Sequence, residues 1–501
     1  MKSNIISFQL SLKIYNKLNM KLKNTSRVLK IYIYLLGLTL NWATSSFASD
    51  NFATGAIFKT ISAIKRLGIS EKSVGISVVK LPEVIYPFEF SRGGFNDSVG
   101  FNPGSVMKVV TTGAALDLIE KDHRFITEIF TTGKKTKDEL KGDIFFKGGG
   151  DPKLVVEDLE KIILDLRTSG YRVLSGRWII DDSLFDIPEV NPSKFDGKPY
   201  KPYNVGPSAA MVNFKATEII IEHSETGHTA KLKPELNGIL LKTKLRKKKG
   251  GCSRNKHLIG FNKNTVMVRG ILGSRCDLDS SFVSLLDHAK FGHALFKNLW
   301  ENSGGTMNTE VLYGKTPANA KKIYVWSSPR TMLDLVKDIN VLSNNPMARN
   351  LFLYLSSSED KPGTLSASRK IVLSWLETKG IDTAGIVLDN GSGLSRVAKM
   401  SALDMTDLLV DSLLRNNGLS WIQTFAKAGF EGTASNRFKN LRVAGNAWVK
   451  TGSLEGVQAC SGYVRASGGG WIAFSIFVNH RLAEKSKVTI DNFVNFLYEE
   501  S

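Results

Sequence analysis

The chain reads as an α+β protein in which an antiparallel sheet covered by helices is interrupted by β-rich inserted modules. Apolar strand-like runs stand near both ends, at 74–79 and at 457–464 and 471–478, the last two joined across Ser467-Gly468-Gly469-Gly470 as a hairpin. Helical apolar spacing flanks them, with Ile57, Ile61 and Ile64 before the first run and Ile490, Phe493 and Leu497 after the last. From about 132 to 320 the pattern changes to short β runs, such as 218–222, 238–241 and 265–268, separated by Gly, Asn and Lys turns. At 501 residues and 42% hydrophobic content the chain can fill several cores.

At the N-terminus, Lys21, Lys23, Arg27 and Lys30 precede an apolar run over 31–43, and Ser46-Phe47-Ala48 offers small residues for a signal peptidase. These features predict a signal peptide over 1–48, cut after Ala48, and hence an exported protein. The run is shorter than the roughly 20 residues a membrane span needs. No later stretch reaches spanning length, and the chain stops at its closing helix, so the mature protein is expected to be soluble.

The next element carries chemistry. Pro103-Gly104 breaks the chain before an apolar helix containing Val106, Met107, Val110 and Ala114, which places Ser105 in the first turn. Side chains three positions apart share a helix face about 5–6 Å apart, so Lys108 reaches the Ser105 hydroxyl. A serine needs a base to become a nucleophile, and the positive potential of a helix N-terminus favours both the developing alkoxide and an uncharged Lys108. Two later words complete a set. Ser343-Asn344-Asn345 supplies a second hydroxyl and an amide, read as a turn before a helix from Met347 onward. Lys450-Thr451-Gly452 closes an apolar strand over 443–449; Lys450 and Thr451 suit a carboxylate, and Gly452 admits a substrate backbone. Each word alone is weak, and their order strengthens them.

On these residues the chain resembles the D-alanyl-D-alanine carboxypeptidase/endopeptidase family of low-molecular-mass class C penicillin-binding proteins, the penicillin-binding protein 4 type of peptidase S13. The resemblance extends over Phe101 to Thr112, Gly148-Gly149-Gly150-Asp151-Pro152, Asp389 to Arg396 and Lys450 to Val457, and runs from about residue 52 to the end. It implies a serine β-lactamase/transpeptidase-like domain from 49–131 and 321–501, an insert over 132–320 and a smaller module nested at about 212–285. It implies catalytic roles for Ser105, Lys108, Ser343, Asn345 and Lys450, and substrate contacts from Thr451, Gly452 and Ser453. The backbone N–H groups of Ser105 and Ser453 would form the oxyanion hole. Asp151, Leu394 and Arg396 would sit where the diamino acid of a peptidoglycan stem lies; equally, Asp151 caps a turn and Arg396 makes a structural ion pair. Two positions depart from the pattern: Asn344 stands where Asp is usual, and Arg349 where an acidic residue is more usual.

The expected partners are peptidoglycan stem peptides, with β-lactams as covalent inhibitors, in the periplasm. The formal charge of +20 includes seven basic residues and no acid within 1–48, leaving 20 − 7 = +13 for the mature chain. Such a field suits an acidic polymer or a membrane surface and leaves peripheral membrane association open; export argues against nucleic acid. The densest basic run, Lys242 to Lys249, reads as a solvated loop. Cys252 and Cys276 are candidates for a disulfide and Cys460 for a buried thiol. No His/Cys cluster has metal-ligand spacing, so neither metal nor cofactor is expected. Two rival readings share these features: a β-lactamase or esterase of the same architecture, and a catalytically weak wall-binding scaffold.

Overall fold

The computed structural model describes residues 51–81, 90–224, 227–252, 256–276, 278–415 and 418–500; the expected signal peptide over 1–48 lies outside them. The chain forms two compact units, one from residues up to Asp117, Val336–Ser343 and Arg369–Ser501, the other from Leu118–Leu335 and Asn344–Ser368.

The first unit is built on a six-stranded antiparallel sheet in the order Ala426–Lys427, Ala447–Leu454, Val457–Arg465, Trp471–Asn479, Val74–Leu81, Ser91–Phe95. One face carries Ile76, Cys460, Phe474 and Ile476 against the helices Asn51–Arg66 and Lys487–Glu499, through Ile57, Ile61, Ile490, Phe493 and Leu497. The helix Ala402–Leu413 packs on Trp471–Asn479 and Val74–Leu81. Strands covered on both sides have no solvent face to place polar residues on, so Val457–Arg465 and Trp471–Asn479 are buried along nearly their whole length. The expected hairpin is present, its strands pairing from Val457–Asn479 to Arg465–Trp471. Cys460 is a buried free thiol.

The second unit holds a seven-stranded mixed sheet in which Lys321–Ser327 pairs with Ile126–Thr131, followed by Ile144–Lys147 and Val173–Asp181. The boundaries expected at 131 and 321 therefore fall wrongly: the strands just outside them hydrogen-bond into this sheet, and backbone pairing outranks local composition in setting where a unit ends. The insert also contains two amphipathic helices, Val156–Thr168 and His288–Asn302, which the short-strand reading of 132–320 passed over. Leu159, Ile162, Ile163 and Leu166 give the first its helical period; it shares a core with Trp178, to which the second contributes its own Phe296 and Trp300. Residues 217–283 form two three-stranded sheets sharing a core of Ile219, Ile221, Val266, Val268 and Leu272. The basic run corrects to a strand: Leu240–Lys248 pairs with Thr265–Gly273 through all nine residues, and alternation puts Lys242, Lys244 and Arg246 on the face opposite Leu241 and Leu245. Cys252 and Cys276 are disulfide-bonded.

Gly292 lies inside the helix His288–Asn302 and borders a small apolar void lined by Phe146, Trp178, Val212 and Phe296. A Cβ there would meet only Val212 Cγ2, at 3.7 Å. Gly292→Ala should stabilise by about 1 kcal/mol through helix propensity, raising Tm by roughly 2–4 °C in a thermal melt. An unchanged or lower Tm would mean that the space is not available.

Candidate active site

The nucleophile candidate sits at the start of a buried helix whose first turn is tight. Gly104–Met107 is a 3-10 turn running directly into the α-helix Lys108–Leu118, and in 3-10 geometry residues i and i+3 eclipse. Lys108 Nζ accordingly lies 3.1 Å from Ser105 Oγ. Ser105 is half-buried and Lys108 fully buried. A second anchor fixes the amine: Lys108 Nζ donates to the Ser392 carbonyl at 2.5 Å. Ser392 is held in an Asx turn, its N–H and hydroxyl both donating to Asn390 Oδ1, while Thr111 donates to the Gly391 carbonyl at 2.7 Å. The loop that the sequence assigns to substrate thus also orients Lys108.

Ser343 follows the helix Met332–Leu342 in the left-handed conformation, φ +58°, a strained state for a residue with a Cβ. Its hydroxyl accepts a hydrogen bond from Lys450 Nζ at 2.8 Å. The helix is tied to the nucleophile helix by Asn340, whose Nδ2 lies 3.3 Å from both Thr112 Oγ1 and Thr424 Oγ1. Lys450 also donates to the Thr451 carbonyl at 2.9 Å. Complete burial pushes the Lys450 ammonium down to about 7.

Lys450-Thr451-Gly452 lies inside the strand Ala447–Leu454 and does not end one, a correction with a consequence. The neighbouring strand Ala426–Lys427 pairs only with Trp448 and Val449, so from Lys450 on the outer edge has no strand partner among the described residues. Gly452 is required by the protein itself. A Cβ there would stand 2.7 Å from the Pro103 carbonyl oxygen and 3.1 Å from the Ser105 nitrogen, so the strand and the nucleophile turn touch backbone to backbone. That contact, with the Lys450–Ser343 bond, brings the first, second and third words into one place. Thr451 bonds Thr433 at 2.9 Å, and the exposed Ser453 bonds Gln458 at 2.8 Å.

The remaining candidates separate. Arg396 pairs with Glu455, its Nη2 lying 3.3 Å from Oε2, and Leu394 is buried. In the second unit, Asp151 Oδ1 accepts from the Lys153 N–H at 2.8 Å, closing the turn at Pro152, and burial pushes its carboxyl up to about 6. Asn345 opens the helix Asn345–Tyr354, two residues before the expected start at Met347, because Asn344 caps it: its Oδ1 accepts from the Met347 N–H at 3.0 Å. Pro346 fits the first turn, where no N–H is needed. Asn and Asp cap helices about equally well, so the departure at Asn344 keeps this structural task. Asn345 donates to the Tyr203 carbonyl at 3.1 Å, and the buried Arg349 donates to the Val205 carbonyl.

The model of the D-Ala-D-Ala carboxypeptidase 3 (S13) family matches residues 94–499, most of the chain. The chain belongs to that family. The carboxypeptidase is thus a serine-type peptidase. It is 28% identical over 398 residues to a D-alanyl-D-alanine carboxypeptidase of Actinomadura sp. (strain R39), covering 75% of this chain and 73% of that one. It is 22% identical over 392 residues to the carboxypeptidase DacB of Haemophilus influenzae, covering 77% and 82%. The crystal structure of penicillin binding protein 4 from H. influenzae superposes with a TM-score of 0.72 at 22% identity, covering 88% and 98%; the same protein complexed with a novel β-lactam gives 0.67 at 21%, with the same coverage. These matches establish the α+β fold with its β-rich additions.

Sequence reasoning missed Asn102 and Asn479 in the carboxypeptidase. Asn479 Oδ1 accepts from the Asn102 N–H at 2.7 Å and its Nδ2 donates to the Asn102 carbonyl at 3.0 Å. Asn102 in turn accepts from the Gly104 N–H and donates to the Ser395 carbonyl. Asparagine before Pro-Gly was a turn signal that could have flagged it. Gly393, at φ +76°, would place a Cβ 1.9 Å from the Gly104 carbonyl oxygen. Gly393→Ala should displace the nucleophile turn and lower the kcat of D-alanine release by about 10²-fold. A wild-type kcat would show that this packing does not position Ser105.

Proposed function

We propose that Ser105 attacks the carbonyl of a terminal D-Ala-D-Ala bond, or of a D,D cross-link, in peptidoglycan stem peptides and forms an acyl-enzyme that water then hydrolyses. The observation that carries this reading is the pair of serine–lysine contacts, 3.1 Å at Ser105–Lys108 and 2.8 Å at Ser343–Lys450, flanking the Gly452 backbone contact. Lys108 takes the hydroxyl proton, its amine held in line by the Ser392 carbonyl. The stem lies along the open edge from Lys450, with its carboxylate met by Lys450 and Thr451 and the oxyanion by the N–H groups of Ser105 and Ser453. Ser343 gives its hydroxyl proton to the leaving amine and takes back the one that Lys108 removed from Ser105, so the released D-alanine carries off that proton while Lys450 keeps its charge for the carboxylate. Leu394 and Arg396, in the same unit as Ser105, contact the diamino acid.

β-Lactams present a strained amide and a carboxylate in the same arrangement and acylate Ser105. The complex of the H. influenzae relative with a β-lactam supports this. Processing after Ala48 and residence in the periplasm fit the basic and apolar pattern of 1–48 and the Cys252–Cys276 disulfide, which an oxidising compartment maintains.

Labelled penicillin followed by peptide mapping tests the reading, alongside D-alanine release from a pentapeptide and cleavage of a cross-linked dimer. The label is expected on Ser105, with slow deacylation and release of D-alanine. Label on another residue, or rapid penicillin turnover without peptide cleavage, would overturn it.

A further inference from the structure

The nested pair of sheets presents a face that the peptidase chemistry does not use. No Asp or Glu occurs between Glu235 and Asp277, a stretch that supplies all three strands of the sheet Leu240–Lys248, Thr265–Gly273 and Lys256–Asn262. Alternation sorts its side chains. Val266, Val268 and Leu272 turn into the module core, so Met267, Arg269 and Ile271 turn outward, and the register places Lys242, Lys244 and Arg246 beside them. Leu258 stands on the far side of Arg269. Lys242, Lys244, Arg246 and Arg269 are exposed, and among the described residues none of them is in an ion pair. Within this cationic field lie two apolar side chains open to water, Leu258 at 79% and Ile271 at 37% exposure.

Solvated lysines on a strand keep an edge from aggregating, and scattered ones need no partner. This face differs because cations of adjacent strands stand side by side, Lys244 against Arg269, and among the described residues neither is in an ion pair that would offset their repulsion. An anionic surface relieves that repulsion. A soluble polyanion would satisfy the cations and leave Leu258 and Ile271 in water, whereas a lipid surface accepts both, the cations at the headgroups and the apolar side chains at the acyl boundary.

We infer that this face docks the protein onto bilayers rich in anionic phospholipid. Docking would hold the peptidase at the membrane surface by reversible, salt-sensitive contacts and needs no spanning helix; among the described residues no helix is long and apolar enough to cross a membrane. The inference does not depend on the assigned mechanism, since the docking residues contribute nothing to the Ser105 site.

The test is co-sedimentation of the protein, as the cell exports and processes it, with phosphatidylcholine vesicles containing phosphatidylglycerol, against vesicles of phosphatidylcholine alone. Binding to the anionic vesicles only, falling with added salt, is expected. The Lys244→Gln/Arg246→Gln double variant should bind about 30-fold more weakly, and Leu258→Asn should weaken binding while keeping the salt dependence. All variants should release D-alanine from a soluble pentapeptide at the wild-type rate, which confirms that they fold. Equal binding to both vesicle types, undiminished binding of the double variant, or binding to polyphosphate but not to vesicles would each overturn the inference.

Discussion

Ser105→Ala should lower kcat by on the order of 10⁵–10⁶ and abolish covalent labelling by penicillin, with little change in Tm. The size follows from the chemistry: without the hydroxyl no acyl-enzyme forms, and the residual rate comes from positioning and the oxyanion donors alone. Stability should hold because Ser105 is half-buried and loses one oxygen, a change of the kind that stays within about 0.5 kcal/mol. Lys108 keeps its bond to the Ser392 carbonyl, so the amine is not stranded. Ser343→Ala is the informative companion. It should retain labelling at a reduced rate, since it leaves the Ser105–Lys108 contact intact. Full labelling of Ser105→Ala would place the nucleophile elsewhere.

Lys450→Met should raise Tm while reducing kcat/KM on carboxylate-terminated peptides by about 10²-fold or more. Burial lowers the Lys450 ammonium from its ordinary 10.5 to about 7, so the folded state binds fewer protons than the unfolded state between those values. Below about pH 7 the amine is charged in both states, and the folded state bears the whole cost of burying it. That cost fades as pH rises from 7 to 10.5, because the folded protein has already released the proton while the unfolded chain holds it. Methionine fills a similar volume without charge, but it leaves the Ser343 hydroxyl and the Thr451 carbonyl without their donor, which offsets part of the gain. A net stabilisation of about 1–2 kcal/mol at pH 6, shrinking at pH 9.5, is expected from thermal melts. A lower Tm at pH 6, or a gain that does not shrink, would show that charge burial is not what Lys450 costs the fold.

On the proposed function, the desolvation that makes Lys450 costly to bury also strengthens its attraction for an arriving carboxylate. In the free enzyme its charge should be lost as pH rises through about 7, and binding of a carboxylate-terminated peptide should weaken in that direction. Tightness at Gly393 and Gly452 serves the other half of the site by holding the Ser105 turn between a loop and a strand with no space for a methyl group.

The residues proposed to carry the chemistry stand out in the amino-acid order because reactivity depends on residue type and short spacing. Ser105 and Lys108 meet through one helical turn, and the antiparallel strands at 457–465 and 471–479 meet through one tight connection, so local rules suffice. Other features depended on partners distant in the chain. That Lys450 stands within a strand, that Gly452 abuts Ser105, that the basic run is a strand with a sorted face, and that strands 126–131 and 321–327 belong to the second sheet all follow from hydrogen bonds between remote segments. Such pairings are chosen by the burial of whole surfaces at once, a property that no local window of sequence contains. Composition and spacing therefore determined which groups this protein brings to its site, and tertiary packing alone decided which of them touch.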